Sequence, residues 1–207
     1  MLNVWAIVLI IWSFYRVTFQ TGLPIWVDEY IAKPLIFLIP IYWFVVKSEK
    51  RSFFSGLGFS KKNMLGDVLF GLGIGAVFVG IAVLTRLIKK LPFPSFEISS
   101  TSIVWVLSTI MAACMEQILS TGFVFKHLSE ESKNIVRPLV ISAILFFFLH
   151  VPVLFGAPTI SSSTLIQMLL LNIVVSLTTS VVFLMRKNTV SPILVYALYL
   201  LSIPILL

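Results

Sequence analysis

Apolar stretches of about 20 residues, the length that crosses a bilayer core, follow one another from end to end of this chain. Only short charged or turn-rich breaks separate them: GLPIWVDEY, KSEKRSFFSGLGFSKKN, KKLPFPSFEISSTS, KHLSEESKNIVRP, FGAPTISSS and RKN. Water-soluble domains carry roughly a quarter charged residues. Here 11% are charged and 59% are hydrophobic. Such a chain is predicted to be all-α, a polytopic membrane bundle of about seven helices forming one domain over 1–207. The spans fall near 2–19, 31–46, 64–86, 103–125, 137–155, 164–185 and 189–207. The opening MLNVWAIVLIIWSFYRV lacks a basic start and a small-x-small cleavage site, so it reads as a retained first helix.

The net charge of +7 does not point to nucleic acid, because the lysines and arginines lie between apolar runs rather than along one helix face. Counted over alternate loops, they give ten on the side shared by the N-terminus and five on the other. The five are Arg16, Lys33, Arg86, Lys89 and Lys90. Positive charge favours the cytoplasmic side, which predicts a cytoplasmic N-terminus. The single cysteine, Cys114, excludes an internal disulfide framework and a multi-cysteine metal site. In the third span, Gly66, Gly71, Gly73, Gly75 and Gly80 predict a central helix that neighbours approach closely.

Against this background a few polar residues stand out. In ACMEQILSTGFVF, residues 113–125, Glu116 lies roughly 20 Å along the fourth span. A carboxylate there costs about 3 kcal/mol or more, so it must face other helices or water. Ala112, Glu116 and Ser120 share one face, with Thr109 close by. The structural reading is a glutamate bonded to a neighbouring backbone; the functional one is an intramembrane acid with a chemical task. His150, in ILFFFLHVP, shares a face of the fifth span with Ser142 and Phe146, and by itself would be a satisfied structural histidine. Paired with Glu116 it becomes a candidate catalyst. A polar stripe of Asn172, Ser176 and Ser180, with Thr179 beside it, runs along the sixth span. Tyr196 and Pro192 share a face of the seventh. One histidine and one glutamate fall short of the three protein ligands of a catalytic zinc. Gln117 is a poor substitute ligand, and His127 is expected in a charged loop at the membrane edge. No metal and no other cofactor is expected.

In order and spacing, these residues resemble the CAAX prenyl protease and bacteriocin-processing (CPBP, or Abi) family of intramembrane proteases. The family pattern Glu-Glu-x-x-x-Arg followed by Gly stands here as Glu116-Gln117-Ile118-Leu119-Ser120-Thr121-Gly122. Phe-x-x-x-His is intact as Phe146 to His150, and a closing His-x-x-x-Asn or Asp would fall on Tyr196 and Leu200, after SPILV. The stretch SGLGFSKKNMLGDVLFGLGIG is also family-like, so the likeness runs over about 50–207.

The resemblance implies that Glu116 and His150 activate water for attack on a peptide bond. It implies supporting or substitute roles at Gln117, Thr121 and Tyr196, with Asn172 as a further substitute donor. It also implies membrane lipid and a membrane-associated protein or peptide as partners, no nucleic acid, and a plasma-membrane location. Four positions depart from the pattern: Gln117, Thr121, Tyr196 and Leu200. The paired loss of the second glutamate and the arginine removes one charge of each sign. Leu200, by contrast, donates nothing, and losing one oxyanion donor typically costs about 10²–10³ in rate. Three readings therefore stand: an endopeptidase acting through Glu116 and His150, a silent relative that binds membrane peptides or scaffolds a partner, and a proton-coupled transporter. The last gains nothing from an inverted repeat or paired broken helices, since neither is evident.

Overall fold

Inside a bilayer the backbone must satisfy its own hydrogen bonds, and a chain this apolar does so by coiling into helices. The computed structural model describes residues 1–19, 23–94, 99–156 and 162–206. Among the described residues there are eight helices and no strand. They are α1 (Leu2–Phe19), α2 (Ile25–Ser48), the short α3 (Phe53–Gly56), α4 (Met64–Lys89), α5 (Ser100–Glu131), α6 (Val136–Gly156), α7 (Ser162–Arg186) and α8 (Val190–Leu206). Five of these, α1, α2, α4, α5 and α7, contain stretches long and apolar enough to cross a membrane, and two shorter apolar segments lie in α6 and α8. The expected breaks KKLPFPSFEISSTS and FGAPTISSS fall in part on 95–98 and 157–161, outside the described residues.

Two helices run further than their apolar content predicts. The second begins at Ile25 rather than near 31, which takes Asp28 and Glu29 out of the expected loop and places Lys33 two turns inside the helix rather than at its start. Proline lacks a backbone donor and crowds the preceding turn. Around Pro34 and Pro40 the helix adapts by widening to i→i+5 turns over Asp28–Ala32, Pro34–Leu38 and Trp43–Ser48. The fourth span continues to Glu131, so the expected loop at KHLSEE is helical. Lys126 and Glu130, one turn apart and 2.8 Å from contact to contact, support that extra stretch. His127 is accordingly not in a loop: it is buried, with Nδ1 2.6 Å from the Phe123 carbonyl and Nε2 3.1 Å from Glu49.

The glycine-rich α4 packs tightly, but on one side only. Only 17% of its apolar span is buried, against 39% for α5, so α5 is the central helix and α4 a flanking one. A Cβ at Gly71 would sit 2.8 Å from the Ser191 carbonyl oxygen, and one at Gly75 would sit 2.6 Å from Leu198. Those two glycines let α4 lie directly against α8. Gly73 and Gly80 face nothing within 4 Å.

The start of α8 is clasped by polar groups. The buried Asp67 carboxylate accepts from Arg186 Nε at 2.8 Å and Asn188 Nδ2 at 2.6 Å. Asn188 Nδ2 also donates to the Ser60 carbonyl at 2.8 Å, and the Ser191 hydroxyl donates to the Asp67 carbonyl at 2.8 Å. Thr189 donates through its hydroxyl to Leu57 and through its amide to Gly58, whose φ of +75° suits glycine. At the far end, the Arg86 guanidinium donates to the carbonyls of Pro92, Pro204 and Ile205. Anchored at both ends, α8 has a fixed rotation, and that rotation decides where Tyr196 points.

Candidate active site

The site is assembled from five helices around the middle of α5. Up to Gln117 this helix is regular; from Ile118 to Phe125 it widens into i→i+5 turns, so the change begins directly after the Glu116–Gln117 pair. Such widened turns are common at functional sites, because they re-aim side chains without breaking the backbone ladder. Here they bury every side chain from Leu119 to Phe125, and Gly122 admits the Leu57 carbonyl to within 2.9 Å of where a Cβ would stand.

Glu116 is buried, 9% exposed, and both its carboxylate oxygens are engaged. Oε1 accepts from Lys33 Nζ of α2 at 2.7 Å. Oε2 accepts from the Tyr196 hydroxyl of α8 at 2.6 Å and lies 3.2 Å from His150 Nε2 of α6. The Tyr196 hydroxyl is also 3.3 Å from His150 Nε2, which closes a triangle of carboxylate, imidazole and phenol. His150 Nδ1 lies 2.9 Å from the Phe146 carbonyl, which only accepts, so the network assigns a proton to Nδ1. Nε2 beside a carboxylate oxygen is attractive only with a proton between the two. The Phe146 ring, 4.6 Å from the imidazole and 5.5 Å from the Tyr196 ring, walls the triangle on its packed side.

A cavity of about 270 Å³ opens on the other side. Glu29, Lys33, Glu116, His150, Asn172 and Tyr196 are among its polar lining residues, with Tyr199 beside them, and Met168, Leu169, Leu200 and Ile203 form much of its apolar wall. A second cavity of similar size shares Glu29, Ala112, Leu200 and Ile203 with it and continues past Trp105 to Ile25 and Pro204. The two together form a trough between α2, α5 and α8 that ends at Glu116.

Of the residues singled out from sequence, Glu116, His150, Tyr196 and Asn172 are thus brought to one cavity. Gln117 and Thr121 are not. They are fully buried and bonded to each other, Thr121 hydroxyl to Gln117 Oε1 at 2.6 Å, and neither lines the cavity. The serine and threonine stripe of α7 serves packing: Ser180 Oγ meets Ser142 Oγ of α6 at 3.5 Å, and Thr179 donates to the Ser176 carbonyl of its own helix. Two charged residues of the cavity, Glu29 and Lys33, are not singled out by the sequence. Lys33 counts there as a topology charge, yet it is 5% exposed and also binds Glu29 at 2.8 Å. Arg86, another such charge, is buried away from the cavity, against the end of α8. The signal for Lys33 was its spacing: Glu29 and Lys33 are four apart, with Asp28 placed to meet Arg16 and Tyr15 of α1.

Among the described residues no group of three or more His, Cys, Asp and Glu side chains gathers in a metal-binding arrangement. The positive charge beside Glu116 is the Lys33 ammonium. Removing one partner from a buried ion pair typically costs about 3–5 kcal/mol, so this charge is integral to the site. In comparisons with known proteins, the sequence profile of the family described as Rce1-like, type II CAAX prenyl endopeptidase, matches residues 98–201. That is half of the chain, and it spans Glu116, His150 and Tyr196. Among curated proteins and among solved structures nothing matches.

Proposed function

The chain belongs to the Rce1-like family of type II CAAX prenyl endopeptidases, and from that premise we propose that it hydrolyses a peptide bond within the membrane through Glu116 and His150. One observation carries the reading: an acid and an imidazole from different helices meet at 3.2 Å on the wall of a cavity of about 270 Å³. A water held beside the pair, on its cavity side, loses its proton to Glu116 as its oxygen adds to the scissile carbonyl. The negative charge that develops on that carbonyl oxygen is met by the Nε2 proton of His150 and by the Tyr196 hydroxyl. The proton taken by Glu116 passes to the leaving nitrogen as the C–N bond breaks. New carboxyl and amine ends result, and the enzyme groups return to their starting state. The trough between α2, α5 and α8 supports a membrane-associated protein or peptide as the substrate class, entering sideways from lipid.

The test is cleavage of prenylated and unprenylated peptides by the full chain in lipid vesicles. Parent protein should cut, and Glu116→Gln and His150→Ala should not, while both variants remain folded. Parent-rate cleavage by either one would contradict the mechanism.

A second reading, a silent relative that holds membrane peptides without cutting them, is favoured by one specific observation. Both oxygens of Glu116 are already bonded, and Leu200 offers the cavity no donor. Peptide captured but left whole by the parent, and cut once Tyr196→His and Leu200→Asn are combined, would establish it.

A further inference from the structure

We propose that Lys33 is a positioning residue for Glu116: a buried ammonium from α2 that keeps this carboxylate ionised and turned toward His150. Three features of its placement converge. Lys33 arises eighty-three positions away in sequence from Glu116, yet its Nζ stands 2.7 Å from Oε1, on the opposite side of the carboxylate from Tyr196 and His150. The ammonium is also tethered from behind, where Glu29, one turn earlier on α2, holds Nζ at 2.7–2.8 Å. Its remaining side faces the Trp12 ring of α1, 5.7 Å from the ring centroid. Three N–H groups thus meet two carboxylates and one aromatic face, which leaves the ammonium a single orientation.

The sequence position where the family pattern has an arginine holds Thr121, and Thr121 is bonded to Gln117. Among the described residues, the ion-pair partners of Glu116 are Lys33 and His150. Take Lys33 away, and Oε1 of Glu116 loses its cation while Glu29 still faces the same cavity; His150 and the Tyr196 hydroxyl remain on Oε2 alone. A buried carboxylate that loses its nearest cation, with a second carboxylate close by, moves toward the protonated form. A protonated Glu116 no longer accepts a proton from water, although every other part of the site remains in place.

The use of this charge in hydrolysis rests on the function proposed above; its effect on the state of Glu116 does not. The experiment reads the two apart. The full chain in phosphatidylcholine vesicles is treated at neutral pH with dicyclohexylcarbodiimide, an apolar reagent that adds to protonated carboxyl groups, and modification at Glu116 is followed by peptide mass spectrometry. Lys33→Met should raise Glu116 labelling by about an order of magnitude over the parent, the change that one unit in protonation equilibrium produces. Glu29→Gln, which leaves Lys33 to Glu116 alone, should keep labelling at the parent level. Where Lys33→Met is poorly recovered, the double variant Lys33→Met with Glu29→Gln removes one buried charge of each sign and should show the same rise.

In a cleavage assay Lys33→Met should lower kcat about 10²-fold or more while KM stays within about twofold. Equal labelling of Glu116 in parent and Lys33 variants overturns the assignment, whether or not the parent cleaves. A rise in labelling together with a parent that cuts no peptide upholds the assignment and overturns the hydrolytic reading.

Discussion

At the scale of single residues, the site is a competition for one carboxylate. Glu116 is shared by an ammonium, a phenol and an imidazole, at 2.7, 2.6 and 3.2 Å. The phenol and the ammonium are the members that the family pattern does not supply, and the phenol hydroxyl is placed to act twice, orienting Glu116 at rest and donating to an oxyanion during reaction. Tyr196→Phe should therefore slow cleavage by about 10²–10³, the loss associated with one oxyanion donor, with little change in thermal stability. Measured kcat beside the melting midpoint checks both halves; an unchanged kcat would reduce Tyr196 to packing. Glu116 and His150 were legible in the sequence because a titratable group within an apolar run has few bland explanations. Lys33 was not. It stands near the start of the span expected at 31–46, and a cation at a span's end looks like a topology signal rather than an ion-pair partner. Gln117 and Thr121 misled in the opposite direction: they occupy the pattern's positions yet bond to each other out of reach of the cavity.

At the scale of elements, the decisive contact is α4 against α8. The sequence shows the glycines but not the direction each one faces, since a lone span has no partner from which to set its rotation. Gly71 and Gly75, four apart, face α8, whereas Gly73 and Gly80 face away from the bundle. Gly71→Val should therefore cost about 1–3 kcal/mol as its side chain meets the Ser191 backbone. Gly73→Ala should stay within about 0.5 kcal/mol of the parent. Denaturation in detergent micelles measures both, and equal effects at the two positions would contradict the rotation of α4 described here. Widened turns in α2 and α5 were likewise beyond sequence reading, although they explain how both helices run longer than their apolar cores and still aim Lys33 and Glu116 at each other.

At the scale of the whole molecule, an all-helical membrane bundle was legible from composition and apolar length alone, because a bilayer leaves such a chain few alternatives. Its orientation turns on the loop charges. Of the same fifteen charges, those outside the helices are Lys50, Arg51, Lys61, Lys62, Lys133 and Lys187 on the side shared by the N-terminus and Lys90 on the other. The imbalance that predicts a cytoplasmic N-terminus is thereby sharper. In a Cys114→Ser background, Lys61→Cys should react with an impermeant maleimide only in opened cells, and Lys89→Cys in intact ones; the reverse pattern would invert the topology. Above orientation stands the central claim, that Glu116 and His150 together deliver water to a peptide bond. Its most direct test is a single-turnover cleavage in heavy-oxygen water, with the new carboxyl end weighed by mass spectrometry. The account predicts one heavy oxygen in the product from the parent protein and no product from Glu116→Gln or His150→Ala. Product at the parent rate from either variant, or a product end without the heavy oxygen, would contradict it.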